Sequence, residues 1–332
     1  MTKPYRLFGS ELSPYSVKVR AYLRYKRIPH EWITRDRNNM AEFRARARLP
    51  LIPLLITPED EALQDSTPIL EKLEVLHPDP PIHPPDPVRR FLSALIEEYG
   101  DEWANKPMFH YRWTYPADQR STAERIAREN APGASEEEIE GLIRMLIERM
   151  VPRLSFVGSS DETRGVIERS FRRQLRLLEA HLSSRPFLFG RRPVFADFGL
   201  ALQLYECSSD PTPGALLASE APHVLAWAQR MLDPKTEGEL EAWEDLELTL
   251  LPFLTQEIGR LFLPWSAANA RALEAGAAEL EVTLDGERFR QPPQKYHARS
   301  LAVLRERYRS IGDRERLDGI LERAGALEDL RG

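Results

Sequence analysis

Three serines, Ser10, Ser13 and Ser16, follow a short apolar run and precede a stretch with helical spacing. A helix N-terminus presents unpaired N–H groups and the positive end of a dipole, so it stabilises an anion. A serine hydroxyl at the same place can donate a hydrogen bond to that anion. A thiolate is one suitable anion, because a free thiol titrates near ~8.5 and such surroundings lower that value. The plainer reading of Ser13 is an N-cap that accepts a backbone N–H of the first turn.

Two further groups could do chemistry. Ile52-Pro53 stands just before an apolar run. Proline has no N–H for a sheet ladder, so this step marks a turn or a loop edge. With a cis bond, the Ile52 backbone groups point outward and can pair with a peptide-like ligand. With a trans bond, Pro53 is an ordinary edge proline. Gln64-Asp65-Ser66-Thr67-Pro68 begins another helix. Asp65 or Ser66 serves as its N-cap, or Asp65 takes an amino group while the Ser66 hydroxyl and N–H take a carboxylate.

These residues need elements to hold them. Tyr5 to Phe8 reads as a strand. Ser13-Pro14 opens a helix that runs to about Lys26, with Val19, Tyr22 and Leu23 on its apolar face. His30 to Thr34 is a second strand and Met40 to Arg48 a helix. Leu54 to Thr57 and Ala62 to Gln64 flank Pro58-Glu59-Asp60-Glu61 as a hairpin. Ser66 to Leu76 is the last helix, with Ile69, Leu70 and Leu73 inward. The order β-α-β-α-β-β-α predicts a small mixed sheet with helices on its faces.

Residues 78–87 hold six prolines, a stiff extended connector. The chain therefore divides into residues 1–77, the linker 78–87, and residues 88–332. Beyond the linker the periodicity is helical to residue 279. Val88 to about Tyr115 reads as one long helix, and Ser135-Glu136-Glu137-Glu138 as a capped start. Asp161 to Leu182 carries Arg164, Arg169, Arg172, Arg173 and Arg176, read as a solvated face. Residues 280–332 change character: Leu280 to Thr283 and Glu287 to Arg290 around Asp285-Gly286 predict a hairpin, and His297 to Ser310 a helix.

Composition limits the rest. The chain has 332 residues, 42% hydrophobic and 30% charged, which suits a packed core and argues against disorder. Net charge is −6, which disfavours nucleic acid as a partner. No run of 18 apolar residues is present, so no membrane span is expected, and no apolar leader follows the first charges. Cys207 is the single cysteine, so a disulfide framework or a Cys-based zinc site is excluded, and a reducing, cytoplasmic setting is expected. The seven histidines show no metal-ligand spacing, so no metal is expected.

Ser13-Pro14-Tyr15-Ser16-Val17-Lys18-Val19-Arg20, then Ile52-Pro53-Leu54-Leu55, then Gln64-Asp65-Ser66-Thr67-Pro68-Ile69, precede a linker and a helical region. This ordered set resembles the glutathione transferase superfamily. Phe195-Ala196-Asp197-Phe198 and Ala221-Pro222-His223-Val224-Leu225-Ala226-Trp227 add to the resemblance, which covers about residues 4–232. It implies a thioredoxin-like α/β domain at 1–77, an all-α domain at 88–279 and a hairpin-plus-helix extension at 280–332.

The resemblance also implies roles. Ser13 would hold the sulfur of glutathione as thiolate. Ile52 would bind the cysteinyl backbone beside a cis-Pro53. Asp65 and Ser66 would hold the γ-glutamyl end, and Arg35, Arg37 or Arg48 the glycyl carboxylate. His110, Tyr111 and Trp113, in an aromatic-rich stretch with Trp103, Phe109 and Tyr115, would line the pocket for an apolar electrophile. A homodimer is implied as well. Three readings stay open: a conjugating transferase; a specialised glutathione-dependent dehalogenase, ether-cleaving enzyme or isomerase; and a non-catalytic binding or scaffold protein. The chain departs from the family in three places. Pro50 and Leu51 stand where Gly and a polar residue are usual, Val194 stands where a Ser/Thr cap is usual, and about 100 residues lie outside the resemblance.

Overall fold

The computed structural model describes residues 3–332. A four-stranded sheet forms the N-terminal unit from β1 (Tyr5–Gly9), β2 (His30–Thr34), β3 (Leu54–Ile56) and β4 (Ala62–Gln64), ordered β2-β1-β3-β4. β1 runs parallel to β2, and β3 is antiparallel to both β1 and β4. Helices α1 (Pro14–Tyr25), α2 (Met40–Arg46) and α3 (Ser66–Leu76) complete it. The side-chain alternation of a strand divides the core in two. Leu7 and Leu55 join Val19, Leu23, Ile69 and Leu73 of α1 and α3. Phe8, Leu54 and Ile56 face the other way, onto Phe43 of α2. The order matches the expectation element for element.

After the proline-rich linker come α4 (Pro87–Glu102), α5 (Asn105–Thr114), α6 (Pro116–Asn130), α7 (Glu136–Met150), α8 (Arg164–Leu182), α9 (Phe195–Ser208), α10 (Pro211–Glu220), α11 (Pro222–Arg230) and α12 (Trp243–Phe253). The helix expected over Val88–Tyr115 is two helices. Pro107 has no N–H for the Trp103 carbonyl, and its ring crowds that oxygen, so the helix breaks there. The Trp103 carbonyl accepts the Lys106 N–H instead. Gly100 of α4 and Gly199 of α9 meet with no room for a side chain, which brings the two helices into close contact. Asp197 accepts the Val194 N–H at 2.8 Å, so α9 keeps a side-chain cap although Val194 contributes no hydroxyl.

From α12 the helix continues through a π-helical segment, Leu254–Phe262, into α13 (Leu263–Glu274). The expected hairpin is β5 (Leu280–Leu284) and β6 (Glu287–Gln291), with positive φ at Asp285 and Gly286 in its turn. α14 (Lys295–Arg309), α15 (Glu315–Arg323) and α16 (Leu327–Arg331) end the chain. The extension shares the main core: Leu284, Phe289, Leu301 and Leu304 pack into the same buried cluster as α4 and α9. The arginine face of α8 is where the hairpin docks. Arg169 pairs with Glu287, and Arg173 reaches both Asp285 and the buried Glu257. Arg169 stays on a solvated face, and the solvated-face expectation is corrected at Arg173, which is drawn in by carboxylates that the local sequence could not foretell.

Candidate functional site

A cavity of about 800 Å³ lies between the N-terminal sheet, the α4–α5 junction and the start of α14. Ile52 and Pro53 line it from the loop before β3, and the peptide bond between them is cis. Gln64, Asp65 and Ser66 line it where β4 enters α3. Two separated stretches of sequence are thus brought to one cavity.

Gln64 organises its rim. Its Oε1 accepts the N–H groups of Arg48 and Leu49 at 2.8 and 3.0 Å. Its Nε2 donates to the carbonyls of Leu49 and Leu51 at 2.9 and 2.8 Å. This amide therefore fixes the loop that carries Pro50. Leu49 and Leu51, 57% and 61% exposed, give the cavity an apolar edge at the solvent. Arg48 also lines it, whereas Arg37 is occupied by Glu138 and the Pro132 carbonyl, and Arg35 lies over the Phe43 ring.

Asp65 holds φ at +77°, a region that costs a residue with a side chain about 1–3 kcal/mol. Its carboxylate makes no cap bond to α3. It accepts instead the hydroxyl of Tyr296, at 2.8 Å, from α14. Ser66 is the first residue of α3, so the positive end of that helix faces the same region.

The opposite wall is acidic. Asp101 and Glu102 line the cavity from α4. Buried Lys18 donates to Glu97 at 2.5 Å, Asp101 Oδ2 at 2.7 Å and Thr67 at 2.9 Å. Burial opposes the Lys18 charge, but Asp101 and Glu97 outweigh it and keep the ammonium charged. Burial pushes the Asp101 carboxyl up against the pull of Lys18. Tyr15 donates to the Asp101 carbonyl at 3.0 Å and accepts from Asn105 at 2.9 Å, and burial raises its phenol. His297 touches the Glu102 carboxylate. Burial favours its neutral imidazole.

The other expected residues lie elsewhere. Ser13 caps α1: its Oγ accepts the Ser16 N–H at 3.3 Å. It is not among the residues lining the cavity, whereas Tyr15, two positions on, is. Ser10, in the same loop, is tied to Glu129 of α6, which also accepts the Glu11 N–H at 2.8 Å. His110, Tyr111 and Trp113 do not line this cavity, and the pocket role expected for them is corrected. His110 is fully buried, bonded to Ser159 at 2.7 Å and Glu168 at 3.0 Å. Tyr111 packs on Phe171 and Tyr115. Trp113 belongs to a second core with Ala123, Ala127, Ile139 and Ile143. The aromatic stretch marks where α5 packs on its neighbours.

Sequence reasoning missed Tyr15, Asp101, Glu102, Asn105, Tyr296 and His297. Tyr15 stood inside the serine motif, two residues from Ser13, and was the one detectable signal. Tyr296 and His297 carry no motif, because only the fold brings α14 back to the sheet.

The residues of this geometry also match known proteins. "Glutathione S-transferase, N-terminal domain" matches residues 7–81, and "Glutathione S-transferase, C-terminal domain" matches 132–230. Together they span more than half of the chain. No curated protein matches at a significant level. Among solved structures, the chain is similar to a glutathione S-transferase of Methylobacterium radiotolerans in complex with glutathione sulfonate, at 21% identity and a TM-score of 0.42, covering 72% of this chain and 99% of that one. It is similar to a glutathione S-transferase of Rhodospirillum rubrum at 22% identity and a TM-score of 0.44, covering 71% and 95%. It is also similar to the beta-etherase LigF of Sphingobium at 18% identity and a TM-score of 0.45, covering 70% and 95%. With both family domains present in order, the chain belongs to the glutathione S-transferase superfamily.

Proposed function

We propose that the protein binds glutathione in the cavity beside α3 and activates its thiol as thiolate for attack on an apolar electrophile. The observation that carries this reading is that Ile52, Pro53, Asp65 and Ser66 line one cavity although they come from two separate motifs. Its ends differ in charge as a peptide zwitterion requires. The Asp65 carboxylate suits an α-ammonium, the α3 N-terminus at Ser66 suits the adjacent carboxylate, and Arg48 suits the glycyl carboxylate. Exposed Leu49 and Leu51 supply apolar surface for the second substrate. Ser13 is assigned the thiolate: its hydroxyl accepts one N–H and still has its own proton to donate. The tripeptide is then the nucleophile, and the protein supplies orientation and a lowered thiol pKa. A cytoplasmic homodimer is the setting that goes with this reading.

A second reading, glutathione binding without transfer, draws on Ser13 itself. Its hydroxyl caps α1, and it is absent from the cavity lining. Calorimetric titration with glutathione, run beside an ultraviolet pH titration of the bound thiol, separates the two. Binding with a thiol pKa below ~8.5 supports the transferase. Binding with an unshifted thiol supports the binding protein. No heat at millimolar glutathione overturns both.

A further inference from the structure

The acidic end of the cavity is built from distant parts of the chain. Asp65, at the start of α3, receives the Tyr296 hydroxyl on Oδ2 at 2.8 Å. Among the described residues its Oδ1 has no protein donor. Across the cavity, Asp101 gives Oδ2 to Lys18, while its buried Oδ1 accepts no hydrogen bond at all. Asp101 is 7% exposed, so this is an unpaired acceptor more than nine-tenths buried on the cavity wall. Glu102, in the same wall, is touched by His297, the neighbour of Tyr296. Consecutive residues of α14 thus each meet one cavity carboxylate, Tyr296 through a hydrogen bond and His297 through contact.

A ligand group that satisfies this end must bring donors and positive charge. Carboxylates accept only, and an ammonium offers three donors. A ligand group at this end that carried only negative charge would meet Asp65, Asp101 and Glu102 without a balancing cation. We propose that the start of α14 completes an ammonium-recognising subsite, in which Tyr296 is a positioning residue that orients Asp65 and Asp101 supplies the second acceptor. This deepens the glutathione reading and rests on it. Tyr296 fixes the Asp65 carboxylate in one orientation, so the ligand's ammonium meets a preformed acceptor and orders less on binding. The extension is on this account part of the ligand site.

The test compares two ligands on the full-length protein: glutathione, and the analogue that lacks only the γ-glutamyl amino group. Titration calorimetry gives Kd for wild type and for Tyr296→Phe. Wild type is expected to prefer glutathione by about tenfold or more, as charged hydrogen bonds do. Tyr296→Phe is expected to shrink that preference by about three- to tenfold while leaving the analogue's Kd unchanged. Tyr296 is 48% exposed, so its hydroxyl is not needed for the core. Equal binding of the two ligands by wild type overturns the subsite alone. An intact preference in Tyr296→Phe, or an equal loss for both ligands, overturns the positioning role. Failure of wild type to bind either ligand overturns the glutathione reading and this inference together.

Discussion

Gly259, in the π-helical segment, lies so close to the Ala324 carbonyl oxygen that a β-carbon on the glycine would overlap it. This is where the turn between α15 and α16 seats on the helical domain. The obstacle is backbone, which cannot swing aside as a side chain can.

Gly259→Ala should therefore loosen the extension. Overpacking of this kind costs about 1–3 kcal/mol. At about 2–4 °C per kcal/mol, the thermal midpoint should fall by several degrees. Limited proteolysis should cut faster in residues 311–332. An unchanged midpoint with an unchanged cleavage pattern would contradict this account of the contact.

Lys18→Met should be far more costly. It leaves Glu97 and Asp101 buried without their cation, a loss of about 3–5 kcal/mol near neutral pH. Burial already raises the folded Asp101 carboxyl against the pull of Lys18, and without Lys18 it titrates further above its unfolded value of ~3.9. The folded chain then binds more protons, so the deficit is smallest at low pH and grows as pH rises. Urea unfolding at two pH values on either side of neutrality measures this. A deficit that is larger in acid would sink the assignment.

Ser13→Ala separates the cap made by this hydroxyl from the thiolate role proposed for it. Losing the cap should cost about 1 kcal/mol of stability. The thiol of bound glutathione should return toward ~8.5, with turnover at neutral pH falling about tenfold for each unit of that return. If turnover is unaffected while stability drops, Ser13 is a cap only.

His181 makes a prediction away from the site. It is fully buried, with Thr249 at 2.7 Å and the Leu188 carbonyl at 2.8 Å, and burial lowers its pKa to about 4. The unfolded residue titrates near ~6.5. Between these values the unfolded chain holds more protons, so stability falls as pH drops from about 6.5 to 4, by up to about 3 kcal/mol in all. His181→Gln should flatten that slope in pH-dependent unfolding. An equally steep acid limb in the variant would assign the loss to other groups.

Much of the N-terminal unit was legible because its signals are local. Ser13-Pro14 marks a helix start wherever it occurs, and the alternation at Leu7-Phe8 and Leu54-Leu55 sorts two faces without knowledge of their partners. Asp65 and Ser66 were legible as a helix entry. What escaped was set by distant packing. Pro107 lies inside the helix expected over Val88–Tyr115, and its effect falls on the Trp103 carbonyl and splits that helix in two. The aromatic residues around His110 read equally well as pocket or core, since periodicity says which side is apolar and not what covers it. Tyr296 and Asp65 stand far apart in sequence, and no pattern near either one mentions the other.

The hydrogen bond between Tyr296 and Asp65 also has a consequence in time. Protein synthesis proceeds from the N-terminus, and early segments fold as they emerge. A nascent chain can assemble its four-stranded sheet long before residue 296 leaves the ribosome. Until then the acidic end of the cavity lacks a wall. On the ligand reading proposed above, discrimination for an amino group is thus acquired last, and a chain stalled before residue 296 would distinguish poorly between ligands with and without one.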